Sequence, residues 1–250
     1  MPLIVSDFHG TIANITEEAQ NKAIGCKLLN DAVRKYDLIK IGKLLIAEYL
    51  TKRALSEYKK GKLPIEKVYA QFNSAIKGTP VMSIYSTVEE FAKQNSCKID
   101  KNLLRILRTA KKDSAIAKIL SSGYEKGILR ILKHTEYSDL FSDHDIIANQ
   151  LKLDDDEKAI GFTLDIYGKK KEIFEKEFIG SPVFRPEKTV YIGNDPEEDG
   201  PIAKLLPKGH FIASLIATDD EKQELAAKFN ATVPESYEEL EKCLRFYLKM

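Results

Sequence analysis

A surplus of charge of one sign is missing: 39 Lys and Arg stand against 38 Asp and Glu, a formal net charge of +1. Such a balance gives no general pull toward nucleic acid or an anionic membrane, so neither is an expected partner. Cysteine is scarce as well. Cys26, Cys97 and Cys243 lie far apart and form no Cys-x-x-Cys pair, which argues against a disulfide framework and a thiolate zinc site. No stretch approaches the ~20 apolar residues needed to span a bilayer. Residues 1–7 run directly into an apolar segment and lack the basic start and long apolar stretch of a secretory signal. A cytoplasmic protein with reduced thiols is the expectation, and the sequons at Asn14 and Asn230 are read as coincidental. Repeats, low-complexity tracts and flexible linkers are also lacking.

What is present is an ordinary globular composition, 43% hydrophobic and 31% charged over 250 residues, enough to bury a large core. Short apolar runs at 3–6, 116–120, 146–148, 190–192 and 211–217 have the character of buried parallel strands, with helical patterns between several of them. This alternation predicts an α/β fold with a doubly wound parallel sheet. Between the first two runs lie roughly a hundred residues without a convincing strand, too many for one crossover helix. The expected organisation is a core of residues 1–13 and 98–250 with a helical cap inserted at 14–97.

Helical spacing over 38–60 predicts a face shared by Ile41, Leu44, Leu45, Tyr49 and Leu50. Asp100 is placed to N-cap a helix running to about Lys111 that returns the chain to the core. The acidic run Asp154-Asp155-Asp156-Glu157, followed by alternating Ile160, Phe162 and Leu164, predicts a solvated turn and a hairpin within 152–166; calcium-loop spacing is missing. Two amphipathic helices are expected at 219–230 and 236–249, the second opened by a Ser236–Glu239 capping box.

Four local features carry chemistry. The first run ends in Asp7-Phe8-His9-Gly10-Thr11, delivering a carboxylate, an imidazole and a hydroxyl where open α/β sheets bind ligands. The second ends in Ser121-Ser122-Gly123-Tyr124, hydroxyls and a glycine at an apparent helix start, suited to a phosphate or to simple helix capping. Lys169-Lys170-Lys171 opens a helical pattern and offers positive charge. The fourth run ends in Gly193-Asn194-Asp195-Pro196-Glu197-Glu198-Asp199. Carboxylates gathered there beside Asp7 would repel one another unless a hard cation such as magnesium neutralised them.

In this order the four features resemble the haloacid dehalogenase superfamily of magnesium-dependent phosphatases, along the whole chain. The similarity is greatest to the phosphoserine phosphatase-like subgroup: a helical cap follows the first motif, Ser121-Ser122-Gly123-Tyr124 parallels a Ser-Gly-Gly-aromatic motif, and Asn149 and Lys170 stand where that subgroup has Asn and Lys. The resemblance implies a Rossmann-like core and a phosphatase acting on a small phosphorylated metabolite. It makes Asp7 the nucleophile that forms an aspartyl-phosphate, with Thr11, Ser121, Ser122, Gly123 and Lys170 around the phosphoryl group. It places Mg2+ on Asp7, the His9 backbone carbonyl, Asp195 and Asp199.

The chain departs from the family pattern twice. His9 replaces the second aspartate, which serves as general acid and base; an imidazole can take that role, with an unperturbed pKa of ~6.5. The usual Gly-Asp reads Gly193-Asn194-Asp195, so either Asp195 or Asn194 fills the metal-ligand position. These departures leave two alternatives open: a phosphotransferase, or a phosphate-ligand or protein-binding module on a degenerate scaffold. The oligomeric state has no signature in the sequence.

Overall fold

The computed structural model describes residues 1–249. Seven strands, β1 (Leu3–Ser6), β2 (Ile116–Tyr124), β3 (Ile146–Asn149), β4 (Leu151–Leu153), β5 (Ala159–Phe162), β6 (Thr189–Gly193) and β7 (Phe211–Ala213), are found among these residues. Five of them form one sheet in the order β3-β2-β1-β6-β7, every pair parallel. A parallel sheet must be covered on both faces. Ile4, Ile119, Val190 and Ile212 face one apolar cluster, and Leu3, Val5, Leu120, Tyr191 and Phe211 face another. Each aliphatic side chain so buried contributes about 1.5–3 kcal/mol. The core is the doubly wound α/β sheet that the spacing of apolar runs predicts.

Helices α5 (Lys101–Lys112), α6 (Glu125–Lys133) and α9 (Tyr237–Leu248) supply Leu103, Leu107, Ile128, Ile131, Leu240 and Leu244 to the first cluster. The second face is covered by α7 (Lys170–Phe174), which continues as a π turn over Glu175–Ile179, and by α8 (Asp219–Phe229). Asp100 caps α5 by accepting from Leu103 N, as its position predicts. Ser236 accepts from Glu239 N at α9, but the Glu239 carboxylate turns to Glu235 N, so only half of the expected box forms. A complete box, unforeseen in the sequence, closes α8 between Thr218 and Glu221.

Between β1 and α5 the chain forms four helices, α1 (Glu17–Arg34), α2 (Leu38–Lys59), α3 (Ile65–Ile76) and α4 (Val81–Asn95). They share a separate apolar cluster of Ile24, Leu28, Leu44, Phe72, Ile76, Ile84 and Val88, to which Tyr124 and the hairpin residues Ala159 and Phe162 also belong. The β4–β5 hairpin, antiparallel as the alternating pattern implies, thus lies against the inserted helices. The face expected on α2 is corrected. Leu44, Ala47 and Ala54 are buried, whereas Leu45 and Tyr49 are 49% and 64% exposed. Apolar and charged residues are spread around the helix alike, and residues spaced i, i+3 and i+10 meet α1 and α3 instead. No helix among the described residues is long and apolar enough to cross a membrane.

The sheet order defines the site. From β1 the chain moves outward to β2 and β3, then returns to the other side of β1 for β6 and β7. The crevice at the C-terminal ends of β1 and β6 is the switch point at which such sheets bind ligands.

Candidate active site

Asp7 emerges from β1 at that crevice, its backbone N–H donating to Ile192 O of β6. Its carboxylate is 3% exposed. Lys170, at the start of α7, is equally buried and donates to both Asp7 Oδ1 at 2.9 Å and Asp199 Oδ1 at 2.7 Å. Lys169 is exposed and Lys171 pairs at 3.6 Å with Glu175 on the surface, so one lysine of the three enters the site. Burial pushes the Asp7 carboxyl up to about 8, against the pull of Lys170. Burial also works against the Lys170 ammonium, but Asp199 and Asp7 outweigh it and hold its pKa well above the usual lysine range.

Asp199 is saturated. Its Oδ1 accepts from Lys170 and from Tyr191 OH at 2.8 Å, and its Oδ2 from the backbone N–H groups of Asn194 and Asp195 at 3.0 and 3.1 Å. A carboxylate has about four lone-pair positions, and all four are used here. Tyr191 is fully buried in β6, and burial together with Asp199 drives its pKa well upward, so it stays a hydroxyl donor. No sequence motif marks Tyr191. Its signal is a phenol in an otherwise apolar buried strand, which needs a partner for its O–H.

In the Gly193–Asp199 loop the side chains of Asn194 and Asp195 turn to different partners. The Asp195 carboxylate caps its own turn, Oδ1 accepting from Glu197 N at 2.7 Å and Glu198 N at 3.0 Å. Burial raises its pKa against those amides. The Asn194 side chain instead turns to the end of β1. Thr11 Oγ1 donates to Asn194 Oδ1 at 3.0 Å, and a Cβ on Gly10 would come within 2.5 Å of Asn194 Nδ2. Gly10, at φ +75°, both makes the turn and leaves room for that amide.

His9 completes the cluster. Its Nδ1 lies 3.2 Å from Ser121 Oγ, which also accepts from Gly123 N. A Cβ on Gly123 would come within 2.2 Å of His9 Cε1, so the glycine is what leaves room for the ring beside this turn. The expectation that Ser121 or Ser122 opens a helix is corrected. Strand β2 runs on to Tyr124 with a shifted register between Ser121 and Tyr124, and α6 starts at Glu125 without a side-chain cap. The polar turn is a bulged strand end held by Asn149, whose Nδ2 donates to Ser122 O. Asp7, Lys170, Asp199, Asn194 and Thr11 are thus linked by hydrogen bonds, and His9, Ser121 and Gly123 form a second linked group at the end of β2.

No group of three or more His, Cys, Asp or Glu side chains is arranged to hold a metal among the described residues. The donors gathered here are nonetheless hard oxygens: the Asp7 carboxylate, the Asn194 amide oxygen and nearby backbone carbonyls. That set suits magnesium, which keeps several waters and takes one or two carboxylates.

A five-stranded parallel sheet carries Asp7 and Asn194 at its switch point, with a buried lysine between two aspartates. In fold the chain is similar to solved phosphoserine phosphatases. A substrate-bound phosphoserine phosphatase superposes with a TM-score of 0.61 at 19% identity, covering 98% of this chain and 97% of that one. A phosphoserine phosphohydrolase-like protein from Francisella tularensis subsp. tularensis SCHU S4 gives 0.59 at 15% identity, over 97% and 99% of the two chains. A HAD family hydrolase from Salmonella enterica subsp. enterica serovar Typhi gives 0.56 at 15% identity, over 89% of this chain and 64% of that one. By sequence alone no family model and no curated protein matches.

Proposed function

We propose that the protein is a magnesium-dependent phosphatase that hydrolyses a small phosphorylated metabolite through an aspartyl-phosphate on Asp7. The observation that carries this reading is the Asp7–Lys170–Asp199 triad, a buried carboxylate at the switch point with an ammonium held against it. One Asp7 oxygen attacks phosphorus and the alcohol departs. Nucleophilic catalysis by a carboxylate divides one difficult displacement into two easier ones. Lys170 screens Asp7 from the phosphoryl charge, and Thr11, Ser121 and the Ser122–Gly123 turn supply donors to its oxygens. Asp7, Asn194 and the His9 carbonyl would hold magnesium, which supplies charge neutralisation at the phosphoryl oxygens when bound. Asp199 then acts through Lys170 and the loop amides, since its lone pairs are taken. His9 protonates the leaving oxygen as imidazolium and, once neutral, takes a proton from the water that attacks the aspartyl-phosphate. That water releases phosphate and restores the Asp7 carboxylate.

The experiment that tests this reading is incubation with acetyl phosphate and magnesium, followed by acid quench and peptide mapping. A phosphoryl group on Asp7 and release of phosphate are expected. Neither appearing, with the protein folded, would leave a binding module in place of an enzyme.

Two further results follow from the geometry. His9→Ala is expected to slow the chemical step on the order of 10²-fold while sparing the fold, and His9→Asp to recover activity with a changed pH–rate profile. A His9→Ala enzyme as fast as the parent across the pH range would make the imidazole a spacer. Asn194→Asp is expected to raise magnesium affinity about tenfold, by adding charge to the ligand set. Asp195→Ala should leave magnesium affinity nearly unchanged and cost about 1 kcal/mol of stability through the lost turn bonds. Calorimetric titration with magnesium distinguishes them, and a larger loss at Asp195 would return the ligand role to that residue.

A further inference from the structure

Beside the Ser122–Gly123 turn a narrow cleft separates the sheet from the inserted helices. Its walls include Gln20 and Asn21 of α1, Tyr69 of α3, Tyr124 of β2, and Phe162 and Thr163 at the end of β5. The remaining wall residues are Ser122, Gly123 and Asn149, so among the described residues no charged side chain lines the cleft. Gly123 joins it to the candidate site, because the His9 ring lies on that same glycine. A leaving group on a phosphoryl held at Ser121 and Asp7 therefore has this cleft as its neighbour. The cleft holds about 10 Å³ as it stands, the room of about one water. A ligand enters only as the α1 and α3 wall parts from β2.

Two unfavourable features meet at Gln20. The residue is 2% exposed, and its Nε2 has no hydrogen-bond partner among the described residues. Buried donors are nearly always paired, because leaving one unmade forfeits its hydration without return. Its amide also occupies the place where a Cβ on Gly127 would stand. Gly127 lies inside α6, where glycine weakens a helix relative to alanine. An amide seated at such expense, with its donor unused inside the protein, points to an acceptor that comes from outside.

We propose that Gln20 recognises the substrate and that the cleft takes the uncharged, hydroxyl-bearing alcohol of a phosphomonoester, a sugar or polyol phosphate. This rests on the phosphatase reading above. The walls offer amide and hydroxyl groups for hydroxyl hydrogen bonds and aromatic faces for C–H surface, the mixture that suits a neutral polyol. A phosphoamino acid would bring an ammonium and a carboxylate into the cleft. Neither finds an opposite charge among the described wall residues, and an unpaired charge is strongly disfavoured on burial.

The test compares kcat/KM, with magnesium, for glucose 6-phosphate, ribose 5-phosphate and glycerol phosphate against O-phosphoserine and phosphoethanolamine. Acetyl phosphate serves as a substrate with almost no leaving group to recognise. The neutral esters are expected to exceed the two amino compounds by about tenfold or more. Gln20→Leu should lower kcat/KM for the favoured ester about tenfold, mainly through KM, and Gln20→Glu should shift the ranking toward phosphoethanolamine. Acetyl phosphate turnover with phosphoserine equal to or better than the neutral esters overturns the proposal and leaves the phosphatase reading intact. So does an unchanged KM for the favoured ester in folded Gln20→Leu. Failure to turn over acetyl phosphate or to phosphorylate Asp7 defeats the phosphatase reading, and this proposal with it. The ranking by the unaltered protein needs no variant, so it decides the matter even if substitutions at Gln20 unfold the chain.

Discussion

Asp7→Asn is expected to lose phosphatase activity by about 10⁴-fold or more, because an amide cannot form the acyl-phosphate on which the proposed reaction turns. The same substitution is expected to raise the melting temperature of the metal-free protein. Burial lifts the Asp7 carboxyl from 3.8 to about 8. A group whose pKa is raised by folding contributes stability that is present in full below the unfolded value and is lost as pH rises through the folded one. The parent should therefore weaken between about pH 4 and pH 8 in chelator, whereas Asp7→Asn should not lose this contribution. Asparagine keeps an oxygen for the Lys170 Nζ bond and removes one of two carboxylates that crowd the lysine. A gain of about 1 kcal/mol would appear as roughly 2–4 °C at pH 7.5. Magnesium should then stabilise the parent more than the variant, reducing the difference. Activity that persists in purified Asp7→Asn would assign the chemistry elsewhere, and a lower melting temperature would show that the buried charge supports the fold.

The fold was legible in sequence where the physics is local. Buried parallel strands must be short apolar runs, so Leu3–Ser6 and Thr189–Gly193 stand out, and the long strandless stretch between the first two runs marks an insertion. Legibility fails where a residue's role depends on a distant partner. The polar end of β2 looks like a helix cap, because Ser and Gly suit both; pairing with β3 and contact with His9 settle its conformation, and both partners are remote in sequence. The α2 helix mixes apolar and charged residues on nearly every side, so periodicity could not choose between Leu44 and Leu45. Asp195 and Asn194 fit spacings of four and five residues to Asp199 equally well. What separates them is the capping of a turn by one and the approach of the other to Gly10, neither of which is encoded in spacing. Tyr191 and Gln20 carry no motif signal in the sequence for a related reason. Each reads as a filler of its element until the hydroxyl is seen to reach Asp199 and the amide to lie over Gly127.

Lys170→Met is the second large effect, and it falls on the fold as well as the reaction. Its ammonium stands between Asp7 and Asp199, which are 3% and 0% exposed. Removing it leaves two carboxylates buried with only dipolar partners, a change of about 3–5 kcal/mol when one member of a buried ionic group is deleted. At roughly 2–4 °C per kcal/mol for a chain of this size, the melting temperature should fall on the order of 10 °C. Lys169→Ala and Lys171→Ala, on the surface, should stay within about 0.5 kcal/mol of the parent. The cost at Lys170 is electrostatic rather than volumetric, since methionine nearly fills the space, so it should depend on Asp7. Combining Lys170→Met with Asp7→Asn removes a carboxyl group that must otherwise be buried as a stranded charge or bind a proton on folding, and the double variant should be more stable than Lys170→Met alone above about pH 5. Thermal unfolding of the parent and these four variants in chelator tests the whole pattern. If Lys170→Met melts with Lys169→Ala, the triad does not hold the site together; if it melts low but Asp7→Asn gives no relief, the loss lies in packing and the charge argument fails.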